Sequence, residues 1–244
     1  MPIVINYRLF CIIIAVSLLY RSQMEQIVKI LSAKYVTHNV RQFRLEKPAG
    51  YSFIPGQATE LSINKEGWRD ETRPFTFTCL NDDDYLEFTI KTYTDHDGVT
   101  NQLSKVNEGD ELIIRDVWGA IEYKGAGYFI AGGAGITPFL AILRQLNKDG
   151  AIGDNKLFFS NKTDKDIILR DELKSILGVN AHFTITGQKD SMYDQRRIDA
   201  KFLKAEIKDF SKHFYICGPD AMVAELSDIL GQLGADSDSV VFER

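Results

Sequence analysis

The chain has little of what would announce a metal centre, a secreted scaffold or a nucleic-acid binder. It holds three cysteines, Cys11, Cys79 and Cys217, odd in number and far apart. They match neither a disulfide framework nor a zinc motif, and they point to a reducing, cytoplasmic setting. Four scattered histidines are a poor basis for a metal site, and none is expected. A net charge of −5, with 29 basic against 34 acidic side chains and no basic stripe, gives no reason to expect a nucleic-acid partner. Long apolar runs are missing too, with one exception. Leu9 to Tyr20 is almost wholly apolar, flanked by Arg8 and Arg21. Twelve residues fall short of a bilayer span, and no small-residue cleavage site follows. Three readings of residues 1–23 stay open: a start assigned upstream of a true one at Met24, a membrane-associated anchor, or a buried core helix. Membrane contact is expected only if this segment is retained.

What is present is a change of rhythm. From about Glu25 to Lys124 the pattern is β, with short apolar-alternating runs at Gln26–Val36, Val40–Leu45, Ala58–Ile63, Phe75–Cys79, Tyr85–Lys91 and Glu111–Arg115. Turn residues punctuate it at Pro55-Gly56, Asn81 to Asp84 and Asn107 to Asp110. One short helix is expected near Asn101–Lys105. This spacing predicts a small antiparallel barrel. After Gly125-Ala126-Gly127, strands alternate with helices through to Val240–Glu243, which predicts a parallel sheet covered on both faces. The expected division is 24–124 and 125–244.

The densest chemistry lies at Gly132-Gly133-Ala134-Gly135-Ile136-Thr137-Pro138, after the apolar run Tyr128–Ala131 and at the opening of a helical pattern that reaches about Leu146. A glycine turn lets backbone N–H groups approach a phosphate, and the following helix start adds partial positive charge. Tight turns also need glycine for steric reasons alone. Two more clusters, Ser160-Asn161-Lys162-Thr163 and Cys217-Gly218-Pro219, close other strands of the same half. Ligands of open parallel sheets bind past such strand ends. The spacing departs from G-x-G-x-x-G, and no acidic residue closes the second strand to grip a ribose hydroxyl. Lys162 stands there instead, suited to a 2′-phosphate or to plain solvent exposure. In the barrel, Arg73-Pro74-Phe75-Thr76 puts a guanidinium, an aromatic ring and a hydroxyl on one short segment. Arginine suits phosphate and an aromatic ring stacks on a flat heterocycle. Read alone, the segment is better taken as an Arg–Pro turn leading into an ordinary strand with Phe75 in the core.

Taken in order, Arg-Pro-Phe-Thr (73–76), Gly-Val-Thr-Asn-Gln-Leu (98–103), the glycine segment, Cys-Gly-Pro (217–219) and a terminal Val-Phe-Glu resemble the ferredoxin–NADP reductase family, from Met24 to Arg244. The resemblance implies an all-β antiparallel six-stranded Greek-key barrel that binds FAD (FMN less so). An α/β doubly wound five-stranded parallel sheet that binds NADPH or NADH follows it. By the same resemblance Arg73 and Pro74 would border a flavin phosphate, Phe75 would stack on the isoalloxazine and Thr76 would lie near its N5. Phe75 stands where the family more often has Tyr. Ile90 and Lys91 would line the ring edge, and Gly98, Val99 and Thr100 would cradle the pyrophosphate. Gly132, Gly133, Gly135, Asn161, Lys162, Gly218 and Pro219 would hold the nicotinamide dinucleotide, with Thr137 near its nicotinamide. Thr76, Cys217 and Glu243 would form the catalytic set. Phe242 is expected in the core, by alternation with Val241 and Glu243. The implied function is transfer of electrons from NAD(P)H through FAD to a separate acceptor such as ferredoxin or flavodoxin. An oxygenase reductase component, a free-flavin reductase and a non-catalytic nucleotide sensor are the rivals. A flavin-free dehydrogenase leaves the barrel motifs unexplained.

Overall fold

The computed structural model describes residues 25–119 and 121–242; the apolar segment at 1–23 and Glu243 lie outside them. Six strands build the first sheet: β1 (Gln26–Thr37), β2 (Val40–Glu46), β3 (Ala58–Ile63), β4 (Arg73–Thr76), β5 (Tyr85–Lys91) and β6 (Glu111–Trp118). They pair antiparallel in the order β4-β3-β6-β1-β2-β5. The sheet closes on itself just past β4, where Phe77 bridges to Phe88 and the Thr78 amide donates to the Glu87 carbonyl at 2.8 Å. Closure removes the exposed edges that an open sheet would leave. Phe43, Leu45, Phe77, Phe88, Leu112 and Ile114 fill the interior.

The strand expected at Phe75–Cys79 begins at Arg73 and ends at Thr76, because the chain beyond must bend to meet β5. Helix α1 (Val99–Leu103) starts two residues before its expected place. Its one-turn spacing buries Val99 and Leu103 together against the barrel core.

The second sheet comprises β7 (Gly127–Gly132), β8 (Lys156–Asn161), β9 (Ala181–Ile185), β10 (His213–Cys217) and β11 (Val240–Phe242), all parallel, in the order β11-β10-β7-β8-β9. Every residue of β7 is buried, as a central parallel strand covered on both faces requires. Helices α2 (Thr137–Lys148), α3 (Arg170–Leu177), α4 (Ala200–Glu206) and α5 (Asp220–Gln232) cover the sheet. Alternation splits β7 between two cores. Phe129 and Ala131 face one, and Tyr128 and Ile130 face the other. Val241 sits in the first core, and Phe242 packs against the second, as its alternation predicts.

The strand order places the reversal of winding between β7 and β10. There a crevice opens past the strand ends, because successive crossovers leave in opposite directions. Barrel and sheet are also joined directly. Val40 of β2 lies in the core of the second sheet, and Ile142 of α2 lies against the backbone of Gly56.

Candidate functional site

The crevice is built first by backbone. Between β7 and α2 the chain makes a tight 3-10 turn at Gly133–Ile136, where the sequence predicts a glycine turn opening a helix. A 3-10 turn advances the chain faster per residue than an α-helix, so it lifts the start of α2 away from the strand end. Gly132 at the end of β7 and the two glycines of this turn differ in need. A side chain at Gly135 would strike the carbonyl of Cys217, so α2 can approach β10 only with glycine there. A Cβ at Gly132 would fall 2.5 Å from Met222 Sδ and 3.0 Å from Pro219 Cδ. Gly133 has φ of +54° and faces open space, with nothing among the described residues within 4 Å of an added Cβ. It is therefore the glycine that keeps the crevice clear, while the other two permit packing. Thr137 opens α2, its hydroxyl donating to the Ala134 carbonyl at 3.1 Å, with Pro138 in the first turn.

The barrel supplies the opposing wall. Pro74, Phe75 and Thr76 of β4, Thr89, Ile90 and Lys91 of β5, and Thr100 of α1 line a cleft of about 640 Å³ that continues to Gly132, Gly133, Gly135 and Thr137. Asn161, Lys162, Cys217, Gly218 and Pro219 complete it. Phe75 is half-buried, packing on the barrel core while it borders the cleft. Ile90 points into the barrel core, so its backbone is what the cleft sees, as the resemblance implies for this strand.

Three expected residues stand elsewhere. Arg73 is exposed beyond the lining residues, its guanidinium donating to the Thr72 carbonyl at 2.6 Å. Gly98 and Val99 do not line the cleft; Val99 is buried in the barrel core. Glu243 lies outside the described residues.

Asn161 is the most telling side chain of the second half. It is only 5% exposed, and neither its amide nitrogen nor its carbonyl oxygen has a partner among the described residues. A buried amide left unbonded is costly, and a ligand entering the cleft could satisfy it. A donor and an acceptor together, beside the open face of Gly133 and the start of α2, fit the hydroxyls and phosphates of a dinucleotide.

The comparisons with known proteins agree with this geometry. Residues 27–123 match the oxidoreductase FAD-binding domain and residues 129–228 the oxidoreductase NAD-binding domain. The chain is 30% identical over 224 residues to NADH-cytochrome b5 reductase 1 of Aspergillus terreus, covering 82% of this chain and 74% of that protein. This chain belongs to the ferredoxin–NADP reductase family. It shares the fold of a ferredoxin NADP+ reductase from Neisseria gonorrhoeae solved with bound FAD and NADP, at a TM-score of 0.78 and 22% identity. That match covers 90% of this chain and 98% of the other. It is also 25% identical over 226 residues to the reductase component of propane 2-monooxygenase from Rhodococcus jostii, covering 86% of this chain but spanning only 60% of that protein's length.

This member of the family carries lining residues that sequence reasoning passed over. Tyr93 is an exposed ring at the mouth, with the Lys91 ammonium 5.7 Å from its centroid. Thr89 is buried and borders the cleft. The alternation 87, 89, 91 along β5, continued to 93 just past its end, was the available signal, since alternate strand positions share the outward face. Asn39, Asp166, Ile168 and Thr186 come from turns and short connections, and Met222 from the first turn of α5, where no such strand period exists. Asp166 accepts from the amide and hydroxyl of Thr163, both at 2.8 Å, and lies 3.7 Å from His38 Nε2 across the join. Cys79 lies away from the cleft in the barrel core; burial pushes its thiol up to about 12, so it stays protonated. No helix among the described residues is long and apolar enough to cross a membrane, and none of their His, Cys, Asp and Glu side chains form a metal-binding group.

Proposed function

We propose that this chain is a flavin-dependent NAD(P)H oxidoreductase that passes electrons from a nicotinamide cofactor through FAD to a separate redox protein such as ferredoxin or flavodoxin. The reading assigns 24–124 to FAD and 125–244 to NAD(P)H. One observation carries it: a single cleft is walled by Phe75, Thr76 and the β5 edge on one side and by the glycine turn, Asn161 and the end of β10 on the other. When bound, FAD supplies a two-electron acceptor for hydride that can release electrons one at a time.

The protein's part is placement. Phe75 offers a flat apolar face, and Thr76 and Thr100 offer hydroxyls. Ile90 contributes backbone, and Arg73 swings from the rim to neutralise phosphate. Gly133 and the first turn of α2 receive the dinucleotide phosphates, and Asn161 bonds its polar groups. Lys162 borders the same end and attracts a 2′-phosphate, whereas Asp166 beside it repels one, so these two side chains set the NADPH-to-NADH preference. Thr137, Cys217, Gly218 and Pro219 close around the nicotinamide end. Glu243 is retained in the catalytic set on the family resemblance. The likeness to an oxygenase reductase component supports a second reading, in which the acceptor belongs to such a system. We place the activity in the cytoplasm.

The test uses the full chain. Purified protein should be yellow, with absorption near about 450 nm that bleaches on anaerobic addition of NADH or NADPH. A folded, colourless protein that takes up no FAD refutes the flavin assignment. Retained colour without bleaching means a nucleotide sensor, and flavin lost on gel filtration means a free-flavin reductase. Arg73→Ala should lower flavin occupancy while leaving the second sheet folded.

A further inference from the structure

Helix α2 and strand β5 belong to opposite halves of the molecule, and each has one end at the cleft: Thr137 on α2 and Thr89 on β5. Away from the cleft they are bolted together. Arg144 lies seven residues along α2 from Thr137, about 10 Å down the helix axis. Glu87 lies two residues from Thr89 on β5, so both side chains project from the same outward face. Glu87 is 1% exposed. Its Oε1 accepts from Arg144 Nη1 at 2.7 Å and from the Thr78 hydroxyl at 3.1 Å, and its Oε2 accepts from Arg44 Nε at 3.1 Å. The other edge of the Arg144 guanidinium is bidentate to Glu172 of α3, at 2.5 and 2.9 Å, and Arg144 Nη1 also donates to the Thr78 carbonyl. A planar guanidinium with partners fixed on β5, on α3 and on the segment after β4 has one seat only.

The bolt reaches the cleft through hydroxyl groups. Glu87, held by two guanidinium groups, accepts from all its partners, so Thr78 gives its single O–H proton to Glu87. The 3.2 Å contact between Thr78 and Thr89 is then donated by Thr89, whose oxygen turns its lone pairs to the cleft.

We propose that Arg144 is a positioning residue: by joining Glu87 and Thr78 of the barrel to Glu172 of the second sheet, it fixes the gap between Thr89 and Thr137 across which the two cofactors meet. This rests on the flavin–nicotinamide reading of the cleft. The molecule contains its own control one turn further along α2. Lys148 pairs with Asp82 at 2.5 Å across the same join, but the two side chains are 49% and 64% exposed. Such solvent-exposed pairs hold little.

The experiment compares Arg144→Met, Arg144→Lys and Lys148→Ala in the full chain. Three quantities are read: amide hydrogen exchange of α2 and β5 without cofactors, FAD affinity, and the rate and saturation constant of flavin reduction by the nicotinamide. Arg144→Met should speed exchange in residues 137–148 and 85–91 and change FAD affinity by less than about threefold. It should slow flavin reduction by roughly tenfold or more at an unchanged saturation constant, as misplacement of reacting partners does. Arg144→Lys should restore part of that rate, and Lys148→Ala should match the parent. An unchanged reduction rate in Arg144→Met overturns the proposal, as does a loss that only tracks lost flavin or lost folded protein. If Arg144→Met folds poorly, Glu87→Gln carries the same expectations. If the chain takes up no flavin, the functional reading fails separately. Exchange then decides the bolt by itself, and unaltered exchange in Arg144→Met overturns it.

Discussion

Gly133 and Gly135 stand two places apart and are glycine for unlike reasons. A methyl group at 135 strikes the backbone of Cys217, which cannot swing aside as a flexible side chain would. Gly135→Ala should therefore destabilise the cofactor-free chain by about 1–3 kcal/mol, the usual range for overpacking. Gly133→Ala meets no atom and carries only the left-handed backbone cost, about 1–2 kcal/mol, but its methyl group enters the cleft. Its larger effect should be on nucleotide affinity, seen by titration, while thermal unfolding should show the packing loss in Gly135→Ala. Equal nucleotide affinity in parent and Gly133→Ala would contradict the assignment. Asn161 gives a prediction of opposite signs. Replacing its unbonded amide by an apolar group of similar size, Asn161→Leu, should stabilise the cofactor-free chain by about 1 kcal/mol and weaken nucleotide binding at least tenfold. Calorimetric unfolding and binding titration read the two effects; destabilisation together with unchanged affinity would show that the amide serves the fold.

Among the elements, β5 shows how packing overrides pattern. Its residues 86–90 are all buried although its sequence alternates, because the second sheet's helices cover its outward face. A half-exposed barrel strand is what alternation predicts; the burial comes from the neighbour. Tertiary closure also trimmed β4 and moved α1, and the 3-10 turn before α2 follows from the close approach of β10. At the other edge, β9 is covered by the segment around Asp194, which bridges to Thr184 and whose carbonyl accepts from the Ile185 amide at 2.7 Å. The Arg196 guanidinium, against burial that works the other way, holds the Asp194 carboxyl down to about 2, with help from the Arg196 amide and His182. A depressed carboxylate contributes stability above its unfolded value of 3.8 and loses it as pH falls towards 2. Asp194→Asn should thus be less stable than the parent at pH 6, with the difference shrinking between pH 4 and 2. A difference that stays constant over that range would assign the effect to packing. The gain is modest, since the Arg196 side chain is about half exposed to solvent.

For the whole molecule, cofactor binding and folding are linked. A ligand that binds only the folded chain stabilises it by about 2.7 kcal/mol at a hundredfold excess over its dissociation constant. Added FAD should raise the unfolding temperature in a concentration-dependent way, and NAD(P)H should add to it; a temperature indifferent to both would mean that the cleft binds neither. Much of this architecture was legible in the chain. The shift from period-two runs to strand–helix alternation after residue 125 marked the two sheets. Pro74–Thr76, Gly132–Thr137 and Cys217–Pro219 marked three walls of the cleft, since turns and strand ends need particular residues locally. Part of the remaining lining was not legible: Asn39, Asp166 and Met222 are ordinary residues until the fold sets them beside the glycine turn. The sequence by itself determined the local pieces, because backbone permission and side-chain periodicity act over a few neighbours. Only the tertiary structure decided which pieces face one another. The partners Glu87 and Arg144 are 57 residues apart, and nothing but the packing of α2 on β5 brings those charges within 2.7 Å.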